Sequence, residues 1–156
     1  MNQHPTTPKT ATLEALMSLF GSVKQALRHE LQDGAGPAVA PMLLRMLQLC
    51  QRHPGITQQG LAQRTGRDKG QVARLVKALL DLGLLNKEDH PEDRRSHRLL
   101  PTPAGAAAVQ RFEQAEAGVA ELLFGSLRAA ELRALNEQLD GLKQRLRARL
   151  PPGEAD

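Results

Sequence analysis

The stretch from Ile56 to Gly105, ITQQGLAQRTGRDKGQVARLVKALLDLGLLNKEDHPEDRRSHRLLPTPAG, decides the fold. Thr57 is placed to cap a short helix, QQGLAQRT, which Gly66 stops. Asp68 caps a second helix, and Gln71 three positions on completes an Asp-x-x-Gln capping box. Val72, Leu75, Val76, Leu79 and Leu80 recur at offsets 0, 3, 4, 7 and 8, which is one helical face. Gly83 ends that helix. Lys69, Gly70, Gln71, Arg74 and Lys77 are left on or beside the other face. Two helices joined by a tight turn, the second polar and basic outside, read as a helix-turn-helix. Leu84–Asp89 and His97–Leu100 then read as short strands joined by the charged turn from His90 to Ser96. A helix-turn-helix running directly into a β-hairpin is a winged helix.

Outward from this stretch the chain is helical on both sides. Residues 1–10 are polar with two prolines and read as disordered. A helix is expected from Thr12, with Leu13, Leu16, Phe20, Val23, Leu27 and Leu31 on one side, until Asp33-Gly34-Ala35-Gly36-Pro37 breaks it. A second starts with Pro41 at its first position, where a missing N–H costs nothing. Apolar residues from Met42 to Cys50 lie on most of its sides, so it reads as the central buried helix, ended by His53-Pro54-Gly55. Downstream, Thr102-Pro103 opens a helix to about Phe124. After Gly125-Ser126 a last helix carries Leu132, Leu135, Leu139, Leu142, Leu146 and Leu150 on one face and mostly arginines on the other. Pro151-Pro152 stops it, leaving a disordered tail over 151–156. The expected fold is mainly α: one domain over 11–150, its winged helix-turn-helix at about 41–105 with a two-stranded β wing. Long helices flank it at about 12–32 and 103–150. The first and last carry matching leucine stripes, which suit packing on each other or on a second copy of the chain.

Composition narrows the function classes. The 156 residues hold three Phe and no Tyr or Trp, so the core must be Leu, Val, Ala and Met. A chain so poor in aromatics lacks the stacking platforms that single-stranded nucleic acid needs. The net charge is +4, and the segment from Arg64 to Arg98, with nine basic and six acidic residues, carries +3 of it. No apolar run approaches the length of a bilayer span, and MNQHPTTPKT has no apolar core, so neither a membrane partner nor a signal peptide is expected and the location is read as cytoplasmic. Cys50 alone excludes an internal disulfide framework. His4, His29, His53, His90 and His97 lack metal-ligand spacing. No Ser/His/Asp set, paired acids or phosphate-cradling loop can be argued, so no enzyme, metal or cofactor is expected.

The run Leu61-Ala62, Gly66, Val72-x-Arg74-Leu75-Val76, Leu79, Gly83-Leu84, then Asp93-Arg94-Arg95 and Thr102-Pro103-Ala104-Gly105 resembles the MarR family of bacterial transcriptional regulators. The resemblance extends from about Leu13 to Leu150. Two positions depart from the family pattern: Pro101 stands where Leu is usual before the Thr, and Ala40 where a polar cap is usual.

The resemblance implies a homodimer on double-stranded DNA, with Lys69, Gly70, Gln71, Arg74 and Lys77 at the major groove. Arginine can bond guanine and glutamine adenine in bidentate fashion. Thr57 and Gln58 would reach a phosphate from a helix N-terminus, although Thr57 has a simpler reading as a cap. In the wing, Asp93 would brace one arginine while Arg94 or Arg95 enters the minor groove; the plain alternative is a flexible charged turn. Leu13, Leu16, Phe20, Leu135, Leu139, Leu142 and Leu146 would form the dimer interface. A small apolar or aromatic effector would sit among Met17, Phe20, Met42, Met46 and Phe112, each of which also suits core packing. The family's peroxide-sensing branch has its reactive cysteine near the start of the first helix, and Cys50 is not there. The implied function is a ligand-responsive repressor on a palindromic operator. The alternative is an interaction dimer that has lost its operator and modulates another regulator.

Overall fold

The computed structural model describes residues 7–32, 39–92 and 95–149. Six helices and one antiparallel hairpin follow one another: α1 (Pro8–Gln32), α2 (Pro41–Arg52), α3 (Gln58–Thr65), α4 (Lys69–Asp81), β1 (Leu85–Asp89), β2 (His97–Pro101), α5 (Pro103–Phe124) and α6 (Ala129–Arg147). The protein is mainly α with a winged helix-turn-helix at its centre, as expected.

The local signals explain most boundaries. Thr57 Oγ1 accepts from the Gly60 N–H at 3.1 Å, and Gly66 ends α3 in the left-handed conformation (φ 66°) that glycine adopts without strain. Asp68 Oδ1 accepts from the Gln71 N–H at 2.9 Å. The return half of the expected capping box is not formed, and the Gln71 side chain stays exposed. At the end of α4 the Leu84 N–H reaches Leu79 O and the Gly83 N–H reaches Leu80 O, a Schellman pair with Gly83 at φ 67°. Ala40 contributes no side-chain cap to α2, but its carbonyl accepts from the Leu43 and Leu44 N–H groups and Pro41 fills the first position.

Strands β1 and β2 pair in register from Leu85 opposite Pro101 to Asp89 opposite His97. Ile56 adds a bridge on the far side of β2, accepting the Leu99 N–H at 2.9 Å. The Leu99 N–H therefore points away from β1. Pro101, two residues on, faces its imide nitrogen the same way, so its missing N–H removes no bond from the hairpin.

The Thr-Pro-Ala-Gly segment locks the hairpin to α5. Thr102 Oγ1 accepts from the Gly105 N–H at 3.0 Å and donates to Gly83 O at 2.7 Å. A Cβ on Gly105 would lie 2.0 Å from Leu84 O, so only glycine admits this approach of helix to strand.

Helix α2 is the centre of the core and packs on α5, α4, α3, β2 and α1. Leu44, Met46, Leu47 and Cys50 from α2 join Leu61, Val72, Val76, Leu79, Leu85, Leu99, Val109 and Phe112. The α4 face is narrower than its pattern suggested: Val72, Val76 and Leu79 are buried, while Leu75 and Leu80 are partly covered.

Several expectations are corrected or narrowed. Helix α1 begins at Pro8 rather than Thr12, so residues 8–10 are helical; Thr7 caps it, its Oγ1 accepting the Thr10 N–H at 3.3 Å. The first and last helices do not make a common core: α1 lies on α5 and α2, and α6 has no buried residue. Helix α6 begins at Ala129, where the Glu131 carboxylate accepts the Arg128 N–H at 2.8 Å. The arginine beside it holds that carboxyl below the usual range. The five apolar residues assigned to one ligand pocket differ in exposure within the single chain. Met46 and Phe112 are 2% and 1% exposed in the core, whereas Met17, Phe20 and Met42 lie on the surface. The expected tail and Leu150 fall outside the described residues, as do residues 1–6.

Candidate nucleic-acid interface

The buried stripe of α4 fixes what the helix shows outside. With Val72, Val76 and Leu79 turned to the core, Lys69, Gly70, Gln71, Arg74 and Lys77 are all exposed. They occupy the first three turns from the Asp68 cap. Lys77 Nζ meets Asp81 Oδ2 at 2.7 Å, an exposed i,i+4 pair of little energetic weight. Arg74 Nε donates to Gly70 O at 3.4 Å and pairs with no acid among the described residues.

Gly70 has ordinary helical φ, and an added Cβ would lie 3.1 Å from Asp68 Oδ1, the oxygen that caps α4. Without a side chain it leaves bare backbone on the exposed face, which admits close approach of a partner.

The start of α3 comes close to the start of α4. Gln58 and Gln59 together with Lys69 line one cleft of about 150 Å³. Two helix N-termini, each with unsatisfied N–H groups and a positive dipole end, therefore open on the same side beside a lysine. Thr57 is half-buried and committed to the cap, which favours its simpler reading, although a capping hydroxyl is not thereby removed from reach of an anion.

The hairpin projects beside these helices. Leu85 and Leu99 anchor its base, at 2% and 0% exposure. Asp89 Oδ1 and His97 Nδ1 lie 3.4 Å apart across the last pair, and the His90 N–H reaches Ser96 O at 3.3 Å. Arg95 is exposed at the turn. Asp93 and Arg94 lie outside the described residues, so the bracing of an arginine by Asp93 stays an expectation. Arg98 lies over Gly55, whose φ of 79° favours glycine; the guanidinium, 2.7 Å from a would-be Cβ, is the far end of a flexible side chain.

Other chemistry is thin. Among the described residues no group of three or more His, Cys, Asp or Glu could hold a metal, and no helix is long and apolar enough to cross a membrane. Burial pushes the Cys50 thiol up to about 12, which keeps it protonated and unreactive.

Sequence reasoning missed a polar cluster between α2 and α5. Gln48 is only 1% exposed; its Oε1 accepts from Arg45 and its Nε2 donates to Glu113 at 3.2 Å and Glu116 at 3.1 Å. Arg45 also pairs with Glu116 and lies over the Phe112 ring, 5.2 Å from its centroid. Gln48 falls inside the apolar stretch of α2, and only its distance of 65 residues from Glu113 hid the link.

Comparison with known proteins places this arrangement. A MarR family model matches residues 40–96, from the start of α2 into the wing. A Thauera aromatica protein named as a transcriptional regulatory protein for the hcr operon is 38% identical over 77 residues, covering 49% of this chain and 46% of its own; the chain thus spans about half the length of that relative. Streptococcus pneumoniae FabT in complex with DNA superposes with a TM-score of 0.80 at 17% identity, over 91% of this chain and 99% of that one. A mutant MarR from E. coli complexed with operator DNA gives 0.77 at 18%, over 90% and 99%. Residues 40–96, the winged helix-turn-helix, thus match the MarR family of transcriptional regulators, and the whole fold is similar to that of solved MarR.

Proposed function

We propose that the protein binds double-stranded DNA sequence-specifically as a homodimer and represses transcription by occupying a palindromic operator. The observation that carries this reading is the outer face of α4. Lys69, Gly70, Gln71, Arg74 and Lys77 stand exposed together, and Gln58 and Gln59 at the start of α3 share a cleft with Lys69. In this reading α4 enters the major groove, with Gln71 and Arg74 reading bases and Lys69 and Lys77 meeting phosphate. Gln58, with Thr57, meets the backbone from the start of α3. Arg95, with Arg94 and the brace from Asp93, carries the wing into the minor groove. The solved DNA complexes of FabT and MarR support the docking mode by likeness of fold.

Dimerisation in this reading uses the stripes left bare. Leu13, Leu16 and Phe20 on α1 and Leu139, Leu142 and Leu146 on α6 are all exposed, with Leu135 partly covered. Apolar side chains recurring along one face of each helix, without cover from their own chain, mark an interaction surface. A two-fold pair spaces two α4 helices for half-sites one helical turn apart, so an effector that shifts that spacing releases DNA. Streptomyces coelicolor PcaV, a structural neighbour, is solved in complex with its natural ligand. The cytoplasm is the corresponding location.

Selection from random-sequence duplex DNA tests the proposal. Enrichment of a palindrome is expected. Weak, sequence-blind binding would instead fit the interaction dimer that has lost its operator.

A further inference from the structure

Helix α5 is held to the winged helix at two levels. The first is its start, where Thr102 bonds Gly83 O and Gly105 lies against Leu84. The second lies about 12 Å further along the helix, at the rise of 1.5 Å per residue, where Glu113 and Glu116 meet α2.

This second level is an antiparallel ladder. Arg45 pairs with Glu116 at one end, and Arg52 Nη2 lies 3.8 Å from Glu113 Oε1 at the other. Gln48 sits between them. Its Nε2 donates to Glu113 at 3.2 Å and to Glu116 at 3.1 Å, and its Oε1 accepts from Arg45 at 3.0 Å. Arg45, Gln48 and Arg52 recur at steps of 3 and 4 along α2, and the glutamates lie one turn apart on α5, so the rungs follow the helical turn on both sides. Two arginines and two glutamates leave the ladder neutral.

Its ends contribute little to stability. The Arg45 and Arg52 side chains are 50% and 58% exposed, and water screens ion pairs at such positions. Its centre differs, because Gln48 is 1% exposed and its amide depends on these partners. Apolar layers keep much of their burial when two helices shift slightly. An amide held between two carboxylates loses its partners instead, and a buried group left unpaired is costly.

We infer that this ladder fixes the direction in which α5 leaves the winged helix, and that Gln48 and Arg45 are thereby positioning residues for DNA binding, setting the spacing of the two α4 helices across the dimer. Helix α2 packs on α3 and α4, while α5 leads to α6 and the seam. A rotation at the ladder therefore displaces α4 from the two-fold axis. The effect on spacing rests on the proposed dimer and its operator; the fixed direction of α5 does not.

Electron spin resonance distances within one chain test the direction without DNA. Nitroxides are placed at Leu82→Cys, after α4, and at Ala120→Cys, beyond the ladder on α5; both positions are exposed, whereas Cys50 is buried and escapes labelling. Excess unlabelled chain restricts the signal to pairs within one chain. The native ladder should give one narrow distance. Gln48→Met, unbranched and without the amide, should broaden or shift it, while circular dichroism and gel filtration report an intact fold. Arg45→Glu, at a half-exposed side chain, should do the same. The double variant Arg45→Glu/Glu116→Arg restores opposite charges and should bring the narrow distance back. Distances unchanged by Gln48→Met and Arg45→Glu overturn the inference, as does a charge swap that rescues nothing.

In random-sequence selection, Gln48→Met should keep the native bases within each half-site. It should lose about tenfold of the preference for native spacing over one base pair more or less, the scale of a buried amide left unpaired. Unchanged spacing preference overturns the positioning role. A native protein that enriches no palindrome counts against the proposed function, and the distance measurement then decides the ladder alone.

Discussion

Along α4 the apolar offsets end in Val72, Val76 and Leu79, each 0% exposed; along α6 the same spacing leaves Leu139, Leu142 and Leu146 between 37% and 63% exposed. Helix α1 shows both outcomes in one element. Its C-terminal half buries Leu27 and half-covers Val23 and Leu31, while Leu13, Leu16, Met17 and Phe20 lie bare. Periodicity records which face of a helix is apolar, not what covers it. The middle of the chain supplies its own cover from α2, α5 and the hairpin. The ends present the same pattern with none, and we assign their cover to a second copy. The difference predicts two kinds of stability: one independent of protein concentration and one that depends on it.

The largest effect belongs to the middle. Phe112→Ala removes a fully buried ring from under Arg45 and should cost about 3–5 kcal/mol, read as a lower denaturation midpoint. A change below about 1 kcal/mol would show that the core collapses around the gap more readily than this packing allows. Next comes the seam. Leu142→Asp changes an exposed site in the single chain but places a charge in apolar contact in the dimer, so it should weaken association by several kcal/mol. Sedimentation velocity should then show a folded monomer where the wild type is dimeric, and a dimer of unchanged affinity would remove α6 from the seam.

Smaller effects sharpen the contrast at the surface. Gly70→Ala should leave fold stability within about 1 kcal/mol of wild type, the better helix propensity of alanine offsetting a close contact with the Asp68 cap. It should still weaken operator binding, as measured by gel shift. Unchanged DNA affinity would detach Gly70 from the interface. The smallest effect is expected at Cys50. Its folded pKa lies above the unfolded value, so burial of the neutral thiol supports the fold below about pH 8–9, and that support fades as pH rises above this range toward the folded value of about 12. Native protein at pH 8 should therefore resist iodoacetamide, and Cys50→Ser should leave any response to peroxide unchanged. Rapid labelling of folded protein would contradict the burial.

What was legible in the sequence was local. Thr57, Gly66, Asp68, Gly83 and Thr102 act within three or four residues or at one backbone conformation, so their roles follow from order along the chain. Thr7-Pro8 carries the same cap-and-proline signal as Thr102-Pro103 and starts α1, but a polar, proline-containing terminus masked it. The exposed face of α4 was legible because its buried face was. The Gln48 cluster and the Ile56 bridge were not, since each joins groups from elements whose mutual placement periodicity leaves open. Met17, Phe20, Met42, Met46 and Phe112 share apolar chemistry, yet only Met46 and Phe112 are buried in the single chain, because shared chemistry does not fix what covers a residue.

The claim that α4 reads DNA bases is tested most directly by repeating the random-sequence selection with Gln71→Ala and with Arg74→Ala. The account predicts that the wild type enriches a palindrome. Each variant should lose preference at one symmetric pair of positions, by about 1–3 kcal/mol, while the rest of the motif and the salt dependence set by phosphate contacts persist. Variants that enrich the wild-type motif with unchanged preference at every position would contradict it.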